Sequence, residues 1–183
     1  MKRLRNLFAL SFAILTLAFV NVNAQDYSAD RTVRNIEQKV FKKINGLPYY
    51  GLFDHIAFQV NGDTVTLYGK VLRGTNKSGA ENVVEDIPGV RRVINKIEIL
   101  PASPGDDRIR RQLVREFSNR GGLYRYLLGT SPSVRIIVDR GRVELEGYVS
   151  NRTDANLMNI TANGVFGVFN VENNLIVGKD NAR

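Results

Sequence analysis

Few residues of this sequence could carry catalysis, and they do not form a catalytic set. The chain has no Cys and a single His, His55, so thiol nucleophiles and zinc-thiolate sites are excluded. Ser131 and Ser133 lack a base at an activating spacing, and the glycines near residues 121 and 164 do not open a phosphate-binding loop. We therefore expect a protein that is not an enzyme and uses no metal or cofactor, with His55 in a structural role.

Arginine is the residue type whose spacing points to binding. Arg108, Arg111 and Arg115 recur at i, i+3 and i+7, so on a helix they lie within about 60° of one another, opposite an apolar face. That face consists of Ile109, Leu113 and Phe117. Arg holds phosphate through paired hydrogen bonds, and Tyr suits a membrane interface because it has an apolar body and a polar end. The predicted lipid-binding residues are Arg108, Arg110, Arg111, Arg115, Arg120, Tyr124, Arg125 and Tyr126.

These residues also have a purely structural interpretation. A solvated helix face explains the arginines equally well. Closure of the hydrophobic core is the favoured explanation of the tyrosines, because Tyr49 and Tyr50 hold a parallel place in the first half of the chain.

An internal duplication reveals the elements that position these residues. The segment VTLYGKV of residues 65–71 returns as VELEGYV at residues 143–149, and the same shift of 78 residues gives ten identities over residues 60–97. Each copy has the pattern of an amphipathic helix, a β-hairpin, a second helix and a last strand. The predicted fold is therefore α+β, with two tandem αββαβ modules, each a three-stranded mixed sheet covered by two helices.

The same patterns predict the boundaries of the modules. The first module occupies residues 25–100, with its first helix opening at Asp30 and its second capped by Thr75 or Asn76. A linker rich in Pro, Gly and Ser follows at residues 101–106, then the second module at 107–177 and a tail at 178–183. Because each copy carries its own hairpin and helices, residues 107–177 are expected to fold alone.

Four glycines recur in register between the copies and are predicted to be structural. Gly69 and Gly147 lie inside strands, which indicates a close backbone approach, here by a covering helix. Gly89 and Gly167 follow the second helix of each copy and stop it.

The first 24 residues have the pattern of a secretory signal peptide cut after Ala24. A basic start precedes an apolar run over residues 7–20, and a small-residue ending follows that run. The apolar run is shorter than the roughly 20 residues needed to cross a bilayer. Removing Lys2, Arg3 and Arg5 lowers the formal charge from +8 to +5. Without a Cys for lipid attachment, we expect a soluble periplasmic protein, still basic, that meets anionic lipid headgroups rather than nucleic acid.

The two copies differ most in apolar surface. The first has Lys77, Gly79, Asn82, Pro88 and Arg91 where the second has Ala155, Leu157, Ile160, Phe166 and Phe169. The core face of this helix is already supplied by other positions, so the surplus at Leu157, Ile160, Phe166 and Phe169 indicates an interface. Packing between the modules is the favoured use of this surface, with lipid insertion or docking of a partner as the alternatives.

Each of the tandem αββαβ units has a V-x-L-x-G-x-V strand and a turn of the form Ile87-Pro88-Gly89-Val90 or Val165-Phe166-Gly167-Val168. With these features the chain resembles the BON domain proteins, which are named after bacterial OsmY and nodulation proteins. The resemblance covers residues 30–177. It implies a non-enzymatic envelope protein linked to osmotic or envelope stress, with phospholipid binding as its activity. Some two-module members are lipoproteins, and this chain departs from them by lacking the anchor Cys.

The expected partner is therefore an anionic phospholipid membrane surface, contacted reversibly. The alternative is a periplasmic stress factor or scaffold that binds an envelope protein through the apolar surface of its second module. In that case the arginines confer only solubility.

Overall fold

The computed structural model describes residues 24–129 and 131–178, with side chains from residue 31 onwards. The elements are α1 (Ala24–Asn45), β1 (His55–Asn61), β2 (Thr64–Val71), α2 (Gly74–Glu85), β3 (Arg92–Asn95), β4 (Glu98–Ile99), α3 (Pro104–Ser118), a 3-10 turn (Leu123–Tyr126), β5 (Val134–Asp139), β6 (Arg142–Val149), α4 (Arg152–Asn163) and β7 (Asn170–Val177). The predicted signal peptide before Ala24 and the tail after Gly178 lie outside the described residues. In the described part, no helix is both long and apolar enough to span a membrane.

The predicted α+β fold of two similar modules is confirmed. In each module two strands form an antiparallel hairpin, β1 with β2 and β5 with β6. The second strand of each hairpin then pairs in parallel with the strand that follows the second helix. In the first module this last strand is interrupted, contrary to expectation, and forms β3 and β4, with the buried Ile97 between them.

Each module has its own hydrophobic core between its sheet and its two helices. The first core contains Ile36, Val40 and Ile44 of α1, Val65, Leu67 and Val71 of β2, and Ala80 and Val84 of α2. The second contains Ile109, Leu113 and Phe117 of α3, Val143, Leu145 and Val149 of β6, and Met158 and Ala162 of α4. The i, i+4 spacing on the helices and the alternation on the strands place these residues on the inner faces.

The starts of three helices differ from the prediction. α1 begins at Ala24 rather than Asp30. α2 has Arg73 as its N-cap without a side-chain bond, because Asn76, an expected cap, is buried and donates to Tyr49 O and Asp54 Oδ2. α3 begins at Pro104, inside the predicted linker, because the Ser103 side chain accepts a hydrogen bond from the Asp106 N–H.

The strand glycines are required by close backbone contact, but the contacting element is a strand and not a helix. A Cβ on Gly147 would lie 2.1 Å from Ser133 O, and one on Gly69 would lie 2.1 Å from His55 O. Both residues also have φ near +110°, a conformation that residues with side chains rarely adopt. The close approach to these two glycines is therefore made by the preceding strand segment of each hairpin and not, as expected, by a covering helix.

The two modules contact each other through the connector between α1 and β1 and through β5. Leu52 and Phe53 of this connector pack against the core of the second module, and the Ile136 N–H of β5 donates to Leu52 O at 2.8 Å. The Arg135 guanidinium, on a residue that is 6% exposed, donates to Gly51 O at 2.7 Å and lies 4.4 Å from the centre of the Tyr50 ring. The first module thus supplies part of the apolar cover of the second.

Candidate functional site

The outer face of α3 carries an Arg stripe, defined as Arg108, Arg111 and Arg115. All three side chains are exposed, and the apolar residues of the helix face the opposite way into the core. Among the described residues, no carboxylate lies within ion-pair distance of the three guanidinium groups. The stripe is therefore a row of cations available to an external anion.

Arg110 does not belong to this exposed surface, contrary to the prediction. It is 3% exposed, and its guanidinium donates to Val138 O of β5 and to Asp107 Oδ1. On a wheel of 100° per residue Arg110 lies only about 20° from Phe117, which could have revealed its inward direction from the sequence. Its role is to hold α3 against the sheet.

The two arginines after α3 are engaged by carboxylates of their own module. Arg120 forms an i, i+4 pair with Glu116 at 3.4 Å. The Arg125 guanidinium bonds to Asp154 at the start of α4, and Asp154 also accepts from the Tyr126 hydroxyl. These contacts leave both arginines less able to bind an external phosphate than the Arg stripe.

The two predicted tyrosines occupy different environments. Tyr126 is 5% exposed and belongs to the second core, and its hydroxyl accepts a hydrogen bond from the Ser150 N–H. Tyr124 is 51% exposed. Only Tyr124 therefore has a surface that an external ligand can reach.

A groove of about 510 Å³ lies beside the Arg stripe, between α3 and α4. Arg115 and Arg120 line one side, and Ile160 and Phe166 line the other, with 66% and 82% of their surface exposed. Gln112 and Thr161 also line the groove, but Gln112 Oε1 and Thr161 Oγ1 are buried and have no hydrogen-bond partner among the described residues. The groove therefore combines cations with exposed apolar side chains.

Most of the apolar surplus does not pack between the modules, so that interpretation was wrong. Ile160, Phe166 and Phe169 are exposed, and the contact with the first module is made by β5 instead. Leu157 is the exception within the set, because it is half-buried against the second core and its Cδ2 lies 3.0 Å from the position of a Cβ on Gly121.

Two turns of the second module meet at one end and form what we call the tip, defined as Arg140, Gly141 and Arg142 of the β5–β6 turn with Phe166 to Phe169 of the α4–β7 turn. The Phe169 N–H donates to Gly141 O at 3.0 Å, and the Arg142 guanidinium lies 5.8 Å from the centre of the Phe169 ring. Phe169 is 74% exposed. Sequence reasoning missed Arg140 and Arg142, because the two turns are distant along the chain.

The first module has the same turns without the same chemistry. Pro88 and Arg91 stand where the tip has Phe166 and Phe169, and Arg91 forms an ion pair with Asp63 at 3.0 Å. Among these turns, exposed Phe side chains therefore occur in the second module alone.

The groups at the contact between the modules have shifted pKa values. Burial, and secondarily the charge of Arg135, lowers the pKa of His55 to about 4. His55 is therefore neutral at pH 7, and its 4.0 Å approach to Glu146 is not an ion pair at that pH. Burial alone would lower the pKa of Lys70, but the hydrogen bond and charge of Glu144, 2.6 Å away, raise it. No group of three or more potential metal ligands occurs in the described part of the chain.

A profile of the BON domain matches residues 32–101 and 105–179. The chain belongs to the BON domain family. The two matches correspond to the two modules, and BON domain proteins are generally non-enzymatic.

Two solved structures also resemble the chain. Both are of CdsD, a structural protein of the type III secretion system of Chlamydia trachomatis, one of them its C-terminal domain. The C-terminal domain is 14% identical, with 77% of this chain and 96% of that chain covered and a TM-score of 0.31. The other is 12% identical, with 80% and 94% covered and the same TM-score. At this TM-score the likeness adds nothing to the interpretation. A search of the curated proteins found no match.

Proposed function

We propose that this protein is a non-enzymatic, exported envelope protein that binds anionic phospholipid surfaces reversibly in osmotic or envelope stress protection. The observation that carries the proposal is the Arg stripe, which has no carboxylate partner in the described part and lies beside the exposed apolar side chains of the groove. The first BON module lacks such apolar side chains at the matching positions.

The energetics favour a weak and reversible attachment. Each Arg near an anionic membrane contributes roughly 1 kcal/mol, so the stripe supplies about 3 kcal/mol, which salt weakens. Because about 4 kcal/mol corresponds to a millimolar dissociation constant, apolar contact by Ile160 and Phe166 is needed for useful affinity. Their exposure shows that this apolar area is available.

Charge reversal on two helices tests the proposal. Arg111→Glu with Arg115→Glu should abolish co-sedimentation with vesicles that contain phosphatidylglycerol, while circular dichroism stays unchanged, because both side chains point away from the core. The matched control is Lys39→Glu with Lys43→Glu on the exposed face of α1, which has the same i, i+4 spacing and the same change of charge. Equal binding by both variants and the wild type would refute a role for the stripe.

One observation favours a second candidate function, the binding of an envelope protein. Ile160 and Phe166 leave 66% and 82% of their surface exposed beside the groove, and apolar side chains of a protein partner could cover them as well as lipid could. A photo-crosslinking residue at position 160 in cells distinguishes the candidates. One reproducible protein adduct supports the protein partner, whereas adducts to lipid alone support the membrane.

The proposed export has a direct test. If the signal peptide is removed after Ala24, mass spectrometry of the periplasmic protein should find Gln25, intact or cyclised, at the N-terminus. Recovery of chains that retain Met1 in the membrane fraction would contradict it.

A further inference from the structure

We propose that the tip of the second module is the part of the protein that enters the membrane interface, with Phe166 and Phe169 at the boundary between headgroups and acyl chains and with Arg140 and Arg142 on lipid phosphates. This inference rests on the proposed function and adds to it the orientation of the protein on the bilayer. The Arg stripe, at the side of the tip, then attracts the protein electrostatically to the anionic membrane, and the tip inserts into the membrane interface.

The chemistry of the tip suits a membrane interface. Phe166 and Phe169 are 82% and 74% exposed on the α4–β7 turn at the end of the module, and Phe166 also lines the edge of the groove. Arg142 lies over the Phe169 ring, so a cation accompanies the aromatic surface. Large apolar side chains next to Arg are typical of protein surfaces that lie in the interface of anionic membranes.

The tip is also held rigidly, and an ordered surface loses little entropy on insertion. The N–H groups of Arg140 and Gly141 both donate to the buried Asp106 carboxylate, at 3.0 and 2.9 Å. A Cβ on Gly167 would lie 3.4 Å from Ile109 Cδ1, so the second turn packs on the first half of α3. The tip is therefore held beside the start of the Arg stripe.

The backbone of the tip carries a conformational cost at Arg140. Arg140 has φ of +52° and is the one non-glycine residue with positive φ in the described part of the chain. Tight hairpin turns of this kind favour Gly, Asn or Asp, and the first module has Gly62 at the matching position, with φ of +62°. An arginine in a conformation that disfavours it indicates that its side chain serves something other than the fold.

Tryptophan fluorescence tests insertion directly, because the chain contains no Trp. In the full mature chain, Phe166→Trp and Phe169→Trp should each shift to shorter wavelength on phosphatidylglycerol-containing vesicles and be quenched by acyl-brominated lipid. Pro88→Trp, at the matching position of the first module, should show neither effect. If both tip variants co-sediment with vesicles but show no shift or quenching, the tip proposal is overturned while lipid binding stands. If neither variant nor the wild type co-sediments, both proposals fail.

A second variant separates binding from folding. Arg140→Gly should raise the thermal midpoint by removing the conformational cost, yet weaken vesicle binding several-fold. Phe166→Ala with Phe169→Ala should weaken binding about tenfold or more without loss of structure, because both rings are exposed. Vesicle binding that is unchanged in both variants would overturn the proposal.

Discussion

Arg135 provides a sharp test of how the two BON modules are joined. Its side chain comes from β5 of the second module, whereas its contacts, Gly51 O, Asn45 Oδ1 and the Tyr50 ring, belong to the first. Arg135→Met removes the guanidinium and retains an apolar stem. Because the single His of the chain, His55, senses the charge of Arg135, the variant has two readouts.

The expected loss of stability is moderate. A hydrogen bond to a charged group is worth about 1.5 to 3 kcal/mol, and a desolvated cation over an aromatic ring about 1 to 2 kcal/mol. Burial of the guanidinium opposes these gains by several kcal/mol. Because these contributions nearly cancel, the loss expected from Arg135→Met comes from leaving Gly51 O without its donor, about 1 to 3 kcal/mol in the free energy of unfolding.

The second readout is specific to the contact between the modules. Burial is the larger cause of the low pKa of His55 and the charge of Arg135 the smaller, so the variant should raise the pKa of His55 above about 4 but leave it below its usual 6.5. An NMR titration of the imidazole in the untagged protein measures this. A pKa that is the same in wild type and variant would show that Arg135 does not approach His55 in solution and would refute the described module contact.

Three further outcomes are expected. Gly147→Ala should cost about 3 kcal/mol or more, because its Cβ would overlap the Ser133 carbonyl and its φ is strained. Gly105→Ala in α3, where a Cβ would make an ordinary contact with Ser103 Oγ at 3.7 Å and φ is not positive, should be neutral or slightly stabilising by thermal unfolding. The fragment 103–178 should fold but should have a lower melting temperature than the same module in the full chain, because Phe53 no longer packs against its core. Equal melting temperatures would contradict a stabilising contact by Phe53. Because the pKa of His55 is lowered to about 4 in the folded protein, the unfolded chain binds a proton at His55 at a higher pH than the folded chain does. The free energy of unfolding should therefore fall by up to about 3 kcal/mol as the pH is lowered from 6.5 to 4. Denaturant titrations of His55→Gln should lack this part of the pH dependence.

The sequence predicted the fold well because the fold depends on local periodicity. The alternation around Val65 and Val143 and the i, i+4 spacing of Ile109 and Leu113 each identify an inner face without knowledge of distant residues. Comparison of the two copies also located Phe166 and Phe169 as surplus apolar surface, which is exposed.

Features that depend on residues far apart in the chain could not be predicted in this way. The buried direction of Arg110 is visible on a helical wheel, but its acceptor, Val138 O, lies 28 residues away. The module contact depends on Arg135 reaching a connector 84 residues earlier. The tip likewise combines turns at residues 140–142 and 166–169, and only the three-dimensional structure brings them together.

The central claim is that the protein binds membranes through charge and a limited apolar contact, and wild-type vesicle binding tests it most directly. Co-sedimentation should be measured at increasing phosphatidylglycerol content and at increasing salt. We expect no binding to pure phosphatidylcholine, binding that rises with the anionic fraction, and loss of that binding as salt screens the arginines. Binding that is equal on neutral and anionic vesicles, or that does not change with salt, would contradict the claim.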